Sequence, residues 1–281
     1  MNTEVRKILE AVSGCIGRNI FIYDESFLLK SLEKRLTKNA TENMSEYLDF
    51  VTDNSAEGEE FFRSLNITYS EFFRDPLTFS LLQKVILPRL FQEKEKSCGR
   101  EIRIWSCGCS AGQEPYSVAI LLDELAERIG VGCGFRVFAT DSDESELELG
   151  RRGMYQTAMI ENVKFKHVSN YFVQKGGSYL IDAKLRERID FSVYDILDEL
   201  SSSPPSSVYG DFDVIICSNL MIYYREDIRC FILNKLHRSL APNGFLITGD
   251  AEAAMVRRSE GFRAVPTLCA VFHRTDRRNQ S

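Results

Sequence analysis

The 281-residue sequence lacks the long apolar runs of a membrane protein. No run approaches the roughly 18–20 residues that a membrane-spanning helix needs. The N-terminal stretch, MNTEVRKILEAVSG, lacks the apolar core of a secretory signal. It predicts an amphipathic helix instead, since Val5, Ile8, Leu9 and Val12 recur at helical spacing. We therefore expect a cytoplasmic protein.

Histidine is scarce, and no metal-ligand pattern is present. His167, His237 and His273 are far apart, and Cys107 with Cys109 forms a single C-x-C pair. Because a structural zinc site takes four ligands at regular spacing, no metal is predicted. The eight cysteines are scattered through mostly apolar contexts, which favours free buried thiols over a disulfide scaffold.

An excess of positive charge is also missing. The net charge is −6 at pH 7, which argues against a nucleic-acid-binding protein. The apolar fraction of 44% and the charged fraction of 27% are ordinary for a globular protein. The length allows one large domain, or a small domain joined to a medium one.

The apolar pattern changes along the chain and predicts two domains. Residues 1–75 predict an all-helical N-terminal domain, and residues 76–281 form the second domain. From about residue 100, apolar strands alternate with helices, which is typical of an α/β fold with a parallel sheet covered on both faces. The predicted strands are 101–106, 135–140, 189–193, 213–218 and 244–248, and the predicted helices are 114–128, 143–152 and 226–240.

One segment interrupts this alternation. Residues of about 160–188 do not fit it, and the run YFVQKGGSYLID predicts a hairpin that turns at Lys175, Gly176 and Gly177. We interpret the segment as a small inserted β subdomain.

The stretch IWSCGCSAGQEPYS, residues 104–117, places a loop of small residues between a predicted strand and a predicted helix. In doubly wound sheets, ligands bind beyond the carboxyl ends of the strands. Gly108 and Gly112 let a backbone come close to a ligand. Asp141 ends the next predicted strand, where an acidic residue commonly accepts hydrogen bonds from ribose hydroxyls. These features predict a ligand built on adenosine.

Glu114 narrows the choice of adenosine ligand. The loop matches neither G-x-x-x-x-G-K-[ST] nor G-x-G-x-x-G. A carboxylate at the start of a helix would repel pyrophosphate, but it can hold an ammonium group. S-adenosylmethionine (SAM) carries an ammonium, a sulfonium and a ribose, so it fits this set. A simple packing turn between strand and helix remains the alternative on these residues alone.

Three segments carry a resemblance to a known family: SLNITYSEFFRDPLTF (64–79), WSCGCSAGQEPYS (105–117) and CSNLMIYY (217–224). They resemble the CheR-type chemotaxis-receptor glutamate O-methyltransferases, over nearly the whole chain. The resemblance implies a Rossmann-like class I SAM-dependent methyltransferase sheet, with an N-terminal all-helical domain and a small inserted β subdomain. It also implies methyl transfer from SAM to glutamate side chains of receptors, with γ-methyl esters and S-adenosylhomocysteine (SAH) as products.

The resemblance implies roles for individual residues. Arg74 and Tyr223 would be catalytic, Arg74 as a clamp on the acceptor carboxylate and Tyr223 as the tyrosine that faces the methyl group. The cofactor-binding set would be Thr68, Ser70, Arg74, Gly108, Gly112, Glu114, Asp141, Asp195, Ile196, Ser218 and Asn219. Within this set, Glu114 would take the amino group, Asp141 the ribose, and Asp195 with Ile196 the adenine.

Less specific interpretations of the two catalytic candidates stay open. Arg74 could form a surface ion pair with Asp75 or Glu71, and Tyr223 could be a core aromatic beside Tyr224.

Two departures from the family pattern affect the site. Ser218 stands where the family usually has arginine, which removes a cation near the cofactor's carboxylate. Asp250, in Gly249-Asp250-Ala251-Glu252, stands where the family often has histidine. Two alternatives therefore stay open: a carboxyl methyltransferase that acts on a protein outside chemotaxis, and a SAM- or SAH-binding signalling module with little catalysis.

A basic flank in the N-terminal domain suggests a partner. Lys30, Lys34 and Lys38 step by four along one predicted helix, with Arg35 beside them and a single acidic neighbour, Glu33. Such a flank could dock an acidic helical protein, such as a receptor's methylation region, and the protein would reach the membrane only through that receptor. A solvated helix face is the alternative.

Overall fold

The structure, a computed structural model, describes residues 2–41, 43–96, 101–130, 134–207 and 210–275. It divides into two compact units, one of Met1–Ile67 with Ile222–Arg229 and one of Thr68–Met221 with Cys230–Ser281. This division falls earlier than the predicted boundary at residue 75, which stays a prediction. Six cysteines of the described residues have free thiols, whereas Cys98 and Cys133 lie outside these residues.

The first unit is helical, as predicted. Its helices are α1 (Thr3–Ile16), α2 (Glu25–Lys38), α3 (Met44–Asp53) and α4 (Ser55–Leu65). Each begins where an Asn or Asp side chain accepts a hydrogen bond from a backbone N–H of the first turn, at Asn2, Asp24, Asn43 and Asn54. The predicted apolar stripe of α1 is buried in the core of this unit.

The second unit opens with α5 (Pro76–Leu81), a π-helical turn (Leu82–Ile86) and α6 (Leu87–Lys96). The later helices are α7 (Gln113–Ile129), α8 (Glu144–Arg152), α9 (Phe165–Tyr171), α10 (Ala183–Arg186), α11 (Glu226–Ser239), which starts in the first unit, and α12 (Asp250–Arg258). Among the described residues, no helix combines the length and apolarity required to cross a bilayer.

A seven-stranded sheet forms the centre of the second unit. Its strands are β1 (Ile102–Cys107), β2 (Phe135–Asp141), β6 (Ile189–Val193), β7 (Phe212–Cys217), β8 (Leu240–Thr248), β9 (Phe262–Ala264) and β10 (Val271–Arg274). The spatial order is β6-β2-β1-β7-β8-β10-β9, with the first five strands parallel. This arrangement confirms the predicted Rossmann-like α/β fold.

The strand order reverses between β1 and β7. From β1 the chain builds outward through β2 and β6, and it then returns to the other side of β1 with β7 and β8. The loops that follow β1 and β7 therefore diverge at the carboxyl edge and open a crevice there.

The inserted subdomain is a second, three-stranded antiparallel sheet. It contains β3 (Met154–Gln156), β4 (Phe172–Lys175) and β5 (Ser178–Ile181) in the order β3-β5-β4. The predicted hairpin is present, and it turns at Gly176, whose φ of +60° suits glycine. The sheet begins before residue 160, because β3 pairs with β5.

Candidate active site

A cavity of about 380 Å³ lies at the carboxyl edge of the large sheet. Its walls come from the segment before α5, from the loop after β1, and from the ends of β7 and β8 with the residues that follow them. The cavity therefore lies at the reversal point of the strand order, where doubly wound folds bind ligands. The polar side chains that line it include Ser70, Arg74, Asp75, Glu114, Ser218, Asn219 and Asp250.

The loop after β1 has an unusual backbone. Gly108, Ser110 and Gly112 have φ values of +66°, +48° and +90°. Gly108 lines the cavity, and a Cβ there would lie 3.3 Å from the Leu220 side chain, so both its φ and its packing favour glycine. A Cβ at Gly112 would lie 3.0 Å from Phe191, so close packing against the Phe191 ring also favours glycine at this position. The predicted cofactor contact of Gly112 stays a prediction.

Glu114 lies in the first turn of α7 and lines the cavity. Its Oε1 accepts a hydrogen bond of 2.6 Å from Ser106 Oγ. Burial raises the pKa of Glu114 to about 7, and the charge of Glu252 adds to this effect, while the Ser106 hydrogen bond and the charge of Arg74 oppose it. A cation that enters the cavity would stabilise the ionised form of Glu114, because its charge would offset the free-energy cost of removing the carboxylate from water.

Asp141 ends β2, as predicted. Its Oδ2 accepts a hydrogen bond of 2.9 Å from Ser110 N, and its Oδ1 accepts one of 3.0 Å from Asp143 N. A carboxylate has about four acceptor positions, so hydroxyl groups can still donate to Asp141. Thr68 lies next to the loop after β1, and its carbonyl oxygen accepts a hydrogen bond of 2.7 Å from Ser110 Oγ. Asp141 and Thr68 are not among the residues that line the cavity, but they fix the loop that does.

The predicted adenine-binding pair follows β6. Asp195 is exposed, and its Oδ1 accepts a hydrogen bond of 2.9 Å from Leu197 N. Ile196 is buried. Both residues lie at the carboxyl edge of the sheet, outside the residues that line the cavity.

Glu252 holds the far wall of the cavity and was missed by the sequence analysis. Its carboxylate is buried and accepts hydrogen bonds from three backbone N–H groups: those of Asn219 (2.9 Å), Met221 (2.7 Å) and Gly249 (2.9 Å). These bonds hold Asn219 at a φ of +59°. A Cβ at Gly249 would lie 2.8 Å from Asn219 Nδ2. The available signal was Gly-x-x-Glu at a helix start, the spacing of a capping box.

Arg74 is exposed and lines the cavity. Its guanidinium lies 5.2 Å from the centre of the Tyr69 ring. The Asp75 carboxylate instead caps α5, with Oδ2 2.6 Å from Thr78 Oγ1, and Glu71 accepts a hydrogen bond from the Tyr69 hydroxyl. The acidic neighbours that could have paired with Arg74 are therefore engaged elsewhere.

Tyr223 belongs to the first unit. Its ring lies 4.8 Å from that of Phe27, and its carbonyl oxygen accepts a hydrogen bond of 2.8 Å from Asp24 N. Its catalytic role stays a prediction.

The structure corrects one member of the predicted basic flank. Lys30, Lys34 and Lys38 are exposed, but Arg35 is only 5% exposed. Its guanidinium donates hydrogen bonds to both carboxylate oxygens of Glu57, one of them 2.8 Å long. Arg35 as a docking residue is therefore wrong, because a buried ion pair holds it inside the first unit.

Comparison with known proteins identifies the family. Residues 68–269 match the family model described as CheR methyltransferase, SAM binding domain. The chain belongs to the CheR methyltransferase family. This match confirms the predicted family and the predicted SAM cofactor.

Curated relatives agree with this assignment. Chemotaxis protein methyltransferase 1 of Pseudomonas aeruginosa is 30% identical over 256 residues, which cover 88% of each chain. The chemotaxis protein methyltransferase of Escherichia coli is 28% identical over 254 residues, which cover 88% of this chain and 83% of that one. An uncharacterised 104.1 kDa protein of Rhodobacter capsulatus is 28% identical over 248 residues, or 88% of this chain but only 25% of its own length.

The residues of the CheR site fit SAM. Glu114 is a partly buried acid with one hydrogen bond from a hydroxyl, which suits an ammonium group. Asp141 has acceptor capacity left for ribose hydroxyls. Gly108 lines the cavity beside Glu114 without a side chain of its own. The assignment of these residues to parts of the cofactor stays a proposal.

Proposed function

We propose that this CheR protein transfers methyl groups from SAM to glutamate side-chain carboxylates of chemotaxis receptors. One observation carries the proposal: the same cavity in the SAM-binding domain is lined by a partly buried acid, Glu114, and by an exposed cation, Arg74. An acid suits the ammonium of the cofactor, and a cation suits the carboxylate of an acceptor. The names of the relatives from P. aeruginosa and E. coli support receptors as the acceptors.

The reaction requires no general base. A glutamate side chain has a reference pKa of about 4.3, so the acceptor is already an anion at pH 7. SAM, when bound, supplies an electrophilic methyl group on a sulfonium. One carboxylate oxygen forms a bond to the methyl carbon while the carbon–sulfur bond breaks, so that a methyl ester and SAH result and no proton moves.

The protein's task is then alignment and exclusion of water. Glu114 in its ionised form would hold the ammonium group. Arg74 would grip one oxygen of the acceptor through charge-assisted hydrogen bonds and leave the other free to react. Tyr223 is the predicted wall beside the methyl group.

Docking of the acceptor is proposed for the helical unit. Lys30, Lys34 and Lys38 are exposed at four-residue spacing on α2, which supports an acidic helical partner. A cytoplasmic location is part of the same proposal, and the free thiols of the described cysteines support it.

Incubation of the protein with tritiated SAM and receptor-containing membranes tests the function. We expect tritium in the receptor that alkali releases as methanol, the signature of a methyl ester, and we expect Arg74→Ala to abolish most of it. Label that appears only on proteins other than receptors would support the second candidate, a different acceptor, which the presence of Ser218 and Asp250 at the cavity favours. SAH binding without transfer to any protein would contradict both.

A further inference from the structure

The residue before Arg74 has a strained backbone. Phe73 has a φ of +52°, in the left-handed region that bulky side chains rarely occupy. Such a conformation persists only when the surroundings hold it in place, and it clusters at functional sites. Because Phe73 precedes Arg74, the group that holds Phe73 also sets the direction in which Arg74 leaves the backbone.

Three contacts hold Phe73. Its backbone N–H donates a hydrogen bond of 3.0 Å to Ser117 Oγ. Its ring meets that of Phe79 edge to face, with centres 5.3 Å apart and planes at 72°. Its other ring contact is a stack on the His167 imidazole, with centres 5.2 Å apart and planes at 28°.

His167 is itself fixed. It lies on α9 in the inserted segment and is 4% exposed. Its Nε2 lies 3.3 Å from Glu124 Oε2, and Lys166 Nζ lies 2.7 Å from Glu124 Oε1. Burial lowers the pKa of His167, with smaller contributions from Lys164 and Lys166, and this outweighs the opposing effect of Glu124.

We propose that His167 is a positioning residue for methyl transfer: its ring fixes the strained Phe73 and thereby aims Arg74 into the cavity. The proposal rests on the proposed function, in which Arg74 orients the acceptor. It assigns a role in the reaction to a residue of the inserted segment, far in sequence from the motifs that carry the family resemblance.

Two substitutions at position 167 distinguish a requirement for an aromatic ring from a requirement for apolar volume alone. His167→Phe keeps a ring for the stack, whereas His167→Leu keeps apolar volume without one. We expect His167→Leu to lower kcat about tenfold or more, since small misplacements of an orienting group cost this much. SAH affinity should fall much less than kcat, because the ring stack does not involve Glu114, the proposed partner of the ammonium group, and His167→Phe should restore most of kcat.

Val168→Ala is the matched control, since it removes apolar volume from the same helix and leaves the Phe73 stack in place. It should leave kcat unchanged. Full kcat in His167→Leu would overturn the proposal, and so would an equal loss in His167→Phe and His167→Leu.

A crystal structure of the His167→Leu variant gives a readout that does not depend on activity. We expect Phe73 to leave the positive-φ region and the Arg74 guanidinium to turn away from the cavity. An unchanged Phe73 and Arg74 would overturn the proposal. Failure of the proposed function has a different signature, the absence of base-labile transfer by the unmodified protein.

Discussion

The helical unit and the sheet unit each shield a glutamate from water, Glu57 as a buried residue and Glu114 as a partly buried one, and the two carboxylates have opposite environments. In the helical unit, Glu57 accepts hydrogen bonds from the Arg35 guanidinium and from the Tyr47 hydroxyl (2.6 Å), and although burial alone would raise its pKa, these bonds lower it. In the sheet unit, Glu114 accepts one from Ser106, and burial raises its pKa to about 7.

The difference lies in the partners that the protein itself supplies. Glu57 forms an ion pair with Arg35 inside the protein, so its charge is already balanced and its role is structural. Glu114 lines a cavity and lacks a cation at hydrogen-bond distance within the described residues, so its environment is completed only when a ligand brings one. A partly buried acid that lines a cavity and has a raised pKa therefore indicates a functional site, whereas a buried acid in a closed ion pair does not.

The largest effect is expected in the helical unit. Arg35→Ala leaves the Glu57 carboxylate buried without a cation, which should lower the free energy of unfolding by about 3–5 kcal/mol. Urea unfolding measures this. Arg63→Ala is the control, because the pair of Arg63 with Glu60 is exposed and should contribute less than about 1 kcal/mol. Equal losses in both variants would remove the distinction between the two kinds of pair.

Glu114→Gln tests the proposed role of the sheet unit's glutamate in cofactor binding. It removes the charge that would hold the cofactor's ammonium, so SAH affinity should fall by about 2–5 kcal/mol, or roughly thirtyfold or more. Calorimetric titration with SAH measures this. The exposed Glu144, on α8, provides the control Glu144→Gln, which should bind SAH as the unmodified protein does. Unchanged affinity in Glu114→Gln would contradict the assignment.

A smaller effect is expected from the exposed lysines. Replacement of Lys30, Lys34 and Lys38 by glutamate should slow methylation of receptor about tenfold at low ionic strength, because the flank would then repel an acidic partner. Salt should reduce the difference, and SAH affinity should not change. Unchanged methylation rates at low salt would leave the flank as a solvated face.

The smallest expected effect is on thermal stability, and its sign should differ between variants of Glu114 and of Glu57. The folded-state pKa of Glu114, about 7, lies above the reference value of 4.5, so the folded protein binds more protons than the unfolded chain between these values. The free energy of unfolding therefore falls as pH rises through this window. At pH 8, Glu114→Gln should raise the melting temperature of the free protein by about 2–4 °C. At pH 8, Glu57→Gln should lower the melting temperature, because it leaves Arg35 without its ion-pair partner. A lower melting temperature in both variants would contradict the account.

Local pattern was sufficient to predict much of the fold. The predicted strands 189–193 and 135–140 match β6 and β2 to within a residue, because continuous apolar runs between turn residues have few alternatives. The start of β8 at Leu240 was predicted too late, since Pro242, Asn243 and Gly244 are typical of a turn.

The contacts that complete the site were harder to predict. Arg35 lies on the expected helix, but its burial depends on Glu57 from another helix. Glu252 reaches back to Asn219, and His167 meets Phe73 across a long stretch of chain. Residue pattern predicts which face of an element is polar, but it does not predict which distant group that face will meet.

The most direct test of the central claim is the number of protons released when SAH binds. Below pH 7 the carboxyl of Glu114 is largely protonated in the free protein, and a bound ammonium would hold it ionised. Calorimetry at pH 6.5 in buffers of different ionisation enthalpy should therefore detect release of a large fraction of one proton per SAH, and this release should vanish in Glu114→Gln. Binding of SAH without proton release by the unmodified protein, or with the same release in the variant, would contradict the claim that Glu114 receives the cofactor's cation.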